Sequence, residues 1–175
     1  MTVKDAIKNR FSTRGFEETP VTEEEINALL DAGVQAPTGC NFQEIHFTVV
    51  NGNNPLIAEV EAEKMRLRDA AVGPHNAFYE APTIVLLSAK SELRWNQVDA
   101  GIAIQNMVLC AEELGLGTLI VGSIYDAMLG EKKEYFEKAF SIPEGYEFII
   151  ALGVGHTALK KEPHTYNKEA QVTFI

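Results

Sequence analysis

At 175 residues the chain is one domain's worth, long enough to bury a core without disulfides or metal. Its 46% hydrophobic and 23% charged residues are ordinary globular values. A formal net charge of −10 argues against nucleic acid or an anionic membrane as partner, because both select for basic surfaces.

The chain opens on a short amphipathic run, Val3, Ala6 and Ile7, followed by a basic cluster, Arg10-Phe11-Ser12-Thr13-Arg14. Two guanidiniums and a hydroxyl on five residues suit an anionic ligand rich in hydrogen-bonding groups. Arginine is a planar fork for phosphate or carbonyl oxygens, and serine is a short donor close to the backbone. Alone, the cluster reads more readily as a solvated basic turn. Lys4, Asp5 and Lys8 leave no apolar signal region, and no stretch reaches the ~18 apolar residues of a membrane span, so a cytoplasmic location is expected.

Thr22-Glu23-Glu24-Glu25 is a capping box, and Ile26, Leu29, Leu30 and Val34 follow at helical spacing. Residues 33–39 break that pattern. Residues 45–50 read as a strand, closed by the turn-rich stretch 51–55. A charged amphipathic helix is expected over 55–70, as a solvent-facing lid rather than a core element. Residues 83–89 form an apolar run between Pro82 and Lys90, which suits a strand covered on both faces.

The longest predicted helix, 96–114, is apolar nearly all round, with Val98, Ile102, Ile104, Met107 and Leu109 among its residues. Such a helix is expected to be buried on every face, so a second copy of the chain should cover one side; plain core within a monomer is the alternative. Gly115 ends it. A strand at 118–121, a helix at 126–140 and a strand at 146–153 complete the chain. The interleaving predicts an α/β fold: a mixed central sheet of about four or five strands with helices on both faces, in a single domain spanning 1–175.

His46, His75, His156 and His164 are scattered without metal-ligand spacing, and His46 inside a strand reads as structural. Gly115-Leu116-Gly117 and Gly153-Val154-Gly155 lack the third glycine of a dinucleotide fingerprint, and neither a nucleophile elbow nor a Walker loop occurs. Cys40 sits beside Asn41 with no evident base, and Cys110 stands in an unrelated context that suggests no disulfide. The chain shows groups that bind and none arranged as a nucleophile, so the chemistry is expected to belong to a bound cofactor, with no catalytic side chain and no metal.

Five ordered motifs resemble those of the flavin-dependent nitroreductase family. Arg10-x-Ser12-x-Arg14 is similar to its N-terminal flavin motif, and Ala36-Pro37-Thr38-Gly39-Cys40-Asn41-Phe42-Gln43 to its A-P-S-x-x-N-x-Q segment. Asn76-Ala77-Phe78-Tyr79-Glu80-Ala81-Pro82 resembles an N-x-F-Y-x-A-P segment of its shorter members. Residues 99–117 look like its central dimer helix, and Val121-Gly122-Ser123 falls where the family has a loop beside the flavin. The resemblance covers nearly the whole chain.

It implies FMN at the interface of an intertwined homodimer, with NADH or NADPH as electron donor and a nitroaromatic, quinone or similar small molecule as acceptor. Arg10 with Phe11 and Ser12 would hold the phosphate end, and Arg14 would sit by the N1/O2 edge and tune the flavin. Asn76 would pair with the pyrimidine edge, and Val121, Gly122 and Ser123 would cover one ring face. Thr38, Cys40, Asn41 and Gln43 would reach the flavin of the partner subunit. Read without the resemblance, Asn41 also suits a strand cap, Gln43 a surface residue and Asn76 a turn. Within the fold, a reductive dehalogenase or flavin-consuming relative is the alternative activity; a flavin-binding regulatory protein with little turnover is the alternative class.

Three departures stand out. Glu44-Ile45 replaces the Pro-Trp that follows the glutamine in many members. No C-terminal K-x-R pair is recognisable: Lys160 and Lys161 come early, and Pro163-His164-Thr165-Tyr166 fills the expected stretch. The extra helical excursion of longer members is missing, which implies an open, permissive site.

Overall fold

Thr22 caps its helix as the sequence predicts. Its hydroxyl accepts from the Glu25 amide at 3.2 Å while Glu25 reaches back to the Thr22 amide at 2.8 Å. The computed structural model describes residues 1–68, 76–162 and 165–175. Its helices are α1 (Val3–Asn9), α2 (Glu23–Val34), α3 (Pro55–Leu67), α4 (Asn96–Glu113), α5 (Tyr125–Leu129) and α6 (Lys133–Ala139). Its strands are β1 (Ile45–Asn51), β2 (Thr83–Lys90), β3 (Gly117–Val121) and β4 (Tyr146–Gly155). The end of the 55–70 helix, His75 and Pro163-His164 lie outside the described residues.

The four strands form one antiparallel sheet in the order β1-β2-β4-β3. The parallel component expected of a mixed sheet is limited, among the described residues, to a bridge between Ser12 and Thr118. β2 is central, and its side chains alternate between two apolar clusters as the pleat requires. Ile84 and Leu86 join Ile57, Val60, Met128, Phe136 and Phe148 on the face covered by α3, α5 and α6. Val85 and Leu87 join Leu29, Met107, Val108 and Leu152 on the face covered by α2 and α4. Helices therefore cover both faces, in an α/β architecture.

Three expectations are corrected here. The helix over 55–67 is not a solvent-facing lid, because Ile57 and Val60 anchor it in the core. The helix expected over 126–140 is two helices, α5 and α6, separated at Gly130, whose backbone leaves the helical region with ψ −147°. A Cβ there would lie 2.6 Å from the Asp126 carbonyl oxygen, which selects glycine at the break. Finally, α4 is not buried all round within one chain. Ala103, Ile104, Met107 and Val108 face the chain's own core, whereas Val98 is 53% and Ile102 37% exposed.

α2 approaches α4 closely at Gly33, where a Cβ would meet the Phe47 ring at 3.0 Å and Met107 at 3.1 Å. On the opposite face, buried Glu63 of α3 takes Arg66 Nη2 at 2.7 Å and Lys132 Nζ at 3.1 Å, tying α3 to the turn before α6. The Arg66 hydrogen bond, then that of Lys132, holds the Glu63 carboxyl down at about 2 against an ordinary 4.5. A carboxyl depressed by folding stabilises the protein above its unfolded value and loses that contribution as pH falls through its folded value. Urea titrations between neutral pH and about pH 2 should show stability falling below the ordinary glutamate value. Glu63→Gln should flatten that acid limb; an acid limb identical to wild type would refute the role given to the pair.

Candidate functional site

Arg10 ends α1, its amide still bonded to the Ala6 carbonyl at 3.0 Å, and turns the chain into extended geometry at φ −55° and ψ 140°. The extended segment lies along β3, an edge strand whose outer backbone groups would otherwise be unpaired. Ser12 pairs with Thr118, and the Thr13 amide donates to the Thr118 carbonyl at 2.8 Å. Past Arg14 the chain is pinned to the end of β4: Thr157 Oγ1 donates to Gly15 O at 2.9 Å, and the Glu17 amide to His156 O at 2.9 Å.

Extended geometry alternates side chains, so Arg10, Ser12 and Arg14 share one side while Phe11 and Thr13 share the other. Thr13 is 1% exposed, and its Oγ1 is buried with no hydrogen-bond partner among the described residues. It packs on Gly117, where a Cβ would sit 2.7 Å from that oxygen. Phe11 and Thr13 line a groove of about 650 Å³ with Asn9, Thr157, Lys160 and Lys161. Two ammonium groups thus line the same groove as the residues flanking Arg10. Nothing in the spacing of Lys160 and Lys161 announced this; it follows from the turn after β4.

Arg14 lines a smaller recess of about 250 Å³ with Ala77, Tyr79, Val121, Gly122 and Ser123. Its guanidinium stands 5.8 Å from the centre of the Tyr79 ring, and Nη1 donates to Ser12 O at 3.3 Å. A Cβ on Gly122 would meet nothing within 4 Å, and Gly122 and Ser123 present an open surface next to buried Val121. The predicted Arg14, Val121, Gly122 and Ser123 are therefore brought together. Tyr79 is an addition that the sequence motif contained but residue chemistry did not single out.

Asn76 opens the turn that carries Tyr79, with its Oδ1 accepting from the Phe78 amide at 2.8 Å. Tyr79 and Glu80 then adopt left-handed φ of 50° and 57°. Non-glycine residues hold such angles only where the surroundings enforce them, and functional sites collect them.

Thr38, Cys40, Asn41 and Gln43 lie apart from this recess, in a turn against the start of α4. Gly39 N donates to Asp99 Oδ2 at 2.9 Å, and Gln43 N to Thr38 Oγ1 at 2.9 Å. Cys40, Asn41 and Gln43 all have left-handed φ, between 52° and 57°. All three are exposed. His46 packs edge-on to Tyr146 with ring centres 6.3 Å apart, in keeping with a structural role. No cluster of three metal-ligating residues occurs among the described residues, and no helix among them is long and apolar enough to cross a membrane.

The donor set fits an anionic cofactor with a flat ring: an open glycine surface, an arginine at its edge, and a second arginine, Arg10, further along the same side of the segment. The sequence pattern of the nitroreductase family matches residues 7–156. A relative from Methanothermobacter thermautotrophicus, assigned by name to the NADH dehydrogenase/NAD(P)H nitroreductases, is 35% identical over 164 residues, covering 90% of this chain and 78% of the relative. A crystal structure of a nitroreductase with bound FMN from Desulfitobacterium hafniense superposes with a TM-score of 0.89 at 29% identity, covering 100% of this chain and 99% of the other. A second, also with bound FMN, from Bacteroides fragilis, gives 0.87 at 26% identity, over 100% and 99% of the two chains.

The seam between the N-terminal segment and β3 is testable without any ligand. Gly117→Val inserts a side chain where Thr13 and Thr157 already stand, and overpacking of that kind costs about 1–3 kcal/mol. The urea midpoint should fall accordingly. An unchanged midpoint would show that the segment is not held where it lies.

Proposed function

The chain belongs to the nitroreductase family, and we propose that it is an FMN-dependent oxidoreductase passing reducing equivalents from NADH or NADPH to a nitroaromatic, quinone or similar small acceptor. The observation that carries the reading is the recess that Arg14 lines with Val121 and the exposed Gly122 and Ser123. FMN supplies a ring position, N5, that accepts and returns hydride.

The chain's own residues bind and orient the cofactor. Arg10 and Ser12 hold the phosphate through a charge-assisted fork and a hydroxyl, with Phe11 between them turned to the groove. Lys160 and Lys161 line that groove with Phe11 and Thr13, on the side of the segment opposite Arg10 and Ser12. Arg14 lies at the ring edge where negative charge gathers on reduction, and a fixed cation there favours the reduced form. Asn76 pairs with the pyrimidine edge. We read residues 1–175 as one FMN-binding domain.

The outward turn at 38–43 supports a site completed by a second copy. Thr38, Cys40, Asn41 and Gln43 are presented away from the chain's own recess, toward the flavin held by the partner subunit. The covered surface would be the stripe of Val98 and Ile102 on α4, since Ile104 and Met107 face the core. A two-fold contact there lets α4 pack beside its own copy.

Arg10→Ala should weaken FMN binding by about 1.5–3 kcal/mol, the range for a hydrogen bond to a charged group. Arg14→Ala should change affinity less and lower the flavin midpoint potential. If neither variant alters binding or potential, the N-terminal cluster is only a basic turn. Turnover of NADH and NADPH by the FMN-loaded protein, against a panel of acceptors, then separates an enzyme from a flavin-binding regulator: a holoprotein that consumes neither is the latter.

Ile102→Glu should convert a homodimer into a monomer and release FMN in the same step, as followed by sedimentation and flavin fluorescence. A wild-type monomer that retains FMN would refute the shared site.

A further inference from the structure

Arg14 is exposed and lines the recess with Val121 and Gly122, so whatever holds its guanidinium decides how well it serves there. A long side chain left in water samples many rotamers. Two contacts restrain this one. Nη1 donates to Ser12 O at 3.3 Å, a long bond within its own segment, and the guanidinium carbon stands over the Tyr79 ring, 5.8 Å from its centre. No carboxylate pairs with Arg14 among the described residues, although the chain carries 25 acidic residues against 15 basic ones.

The Tyr79 ring is itself held from behind. Asn76 Oδ1 accepts from Phe78 N at 2.8 Å, and Ala81 N donates to Phe78 O at 3.1 Å, which closes the turn on both sides of Tyr79. Phe78 and Ala81 are each 1% exposed and pack in the core with Ile84 and Phe148. Ala81 also lies against Gly153, where an added Cβ would come within 3.0 Å of it. Between these two anchors Tyr79 and Glu80 keep their left-handed φ, so the turn sustains backbone strain at the residue whose ring faces Arg14.

We propose that Tyr79 is a positioning residue, whose ring face holds the Arg14 guanidinium at the flavin edge without neutralising it. The proposal rests on the reading that this recess holds FMN. A carboxylate would fix the arginine as firmly, but its charge would cancel the field that the arginine supplies. An aromatic face attracts the cation through its quadrupole and carries no net charge. The positive edge of the site is thereby kept in a strongly acidic chain. Negative charge gathers at that edge on reduction, so a guanidinium held there favours reduced over oxidised cofactor. Loss of the ring frees Arg14 to move into solvent and lowers that preference.

The test compares Tyr79→Leu, which removes the ring face, with Tyr79→Phe, which keeps it. On the FMN-loaded proteins, the flavin midpoint potential reads the ratio of the dissociation constants for oxidised and reduced FMN. In Tyr79→Leu that ratio should fall by up to about fivefold, the population that a cation–π contact at an exposed site holds. In Tyr79→Phe it should keep the wild-type value, and in an Arg14→Ala background Tyr79→Leu should add nothing. An unchanged potential in Tyr79→Leu overturns the proposal. An equal fall in the Arg14→Ala background also overturns it, since the ring would then act on the flavin directly. A fall in Tyr79→Phe that matches Tyr79→Leu assigns the effect to the hydroxyl and overturns it too.

A second measurement needs neither variant nor flavin. In the flavin-free wild type the Arg14 δ-methylene protons should be shifted upfield by the ring current and show nuclear Overhauser contacts to the Tyr79 ring. Absence of both overturns the hold. A wild type that shows them and binds no FMN refutes the FMN reading, and with it the role at the flavin, while the contact itself stands.

Discussion

The contact on which the site depends is the seam between the N-terminal segment and the edge of β3. One backbone hydrogen bond, Thr13 to Thr118, together with the buried packing of Thr13 on Gly117, sets the register of the segment. Once that register is set, the period-two alternation of extended chain decides everything else about the motif. Arg10, Ser12 and Arg14 are placed on one side without any further instruction. A slip of one residue would turn both guanidiniums away and present Phe11 and Thr13 instead. The seam also satisfies the open edge of the sheet, so a structural need and a binding motif are met by the same few residues.

The seam is only as fixed as the sheet beneath it. β2 and β4 pair over eight register positions in the middle of the sheet, with a shift between Leu87 and Ser88. Both faces of that pair are covered by helices, so neither strand can slide without exposing an apolar row. The chain carries strongly negative charge, yet it handles buried carboxyls in two opposite ways. Glu63 stays ionised because Arg66 and Lys132 bracket it. Glu44 is pushed the other way, above its ordinary value, by burial first and then by Asp99. The first therefore loses strength as pH falls and the second as pH rises.

Much of this was legible in the residues. The capping box at Thr22 and the doubly covered run at 83–89 each rest on local chemistry, and local chemistry survives into the fold. What was not legible depended on distant partners. Ile57 and Val60 look like a thin apolar stripe on a charged helix until the sheet supplies a surface for them. Ile104 and Met107 could not be told from Val98 and Ile102 by hydrophobicity, because all four are apolar; only the position of α2 and the sheet separates inward from outward. Lys160 and Lys161 sit too early to match a familiar spacing, yet the chain after β4 returns them to the groove beside Phe11.

On the proposed reading recess and turn serve one site although they lie apart in one chain, and the two ends of α4 bear on how. The 38–43 turn rests on the first turn of α4, where Gly39 stands against Trp95 and Asp99. The outward stripe begins at the same end, with Trp95 54% and Val98 53% exposed. The groove beside the N-terminal segment lies at the opposite end, bounded by Glu112, Gly115 and Leu116. A two-fold axis across the stripe would set two such helices antiparallel, and antiparallel packing brings the start of one beside the end of the other. The turn of one copy is then carried to the motif of the other by the same contact that covers the exposed apolar residues. On this geometry, assembly and completion of the site are a single event, and the strained turn has a reason to be held in shape before its partner arrives.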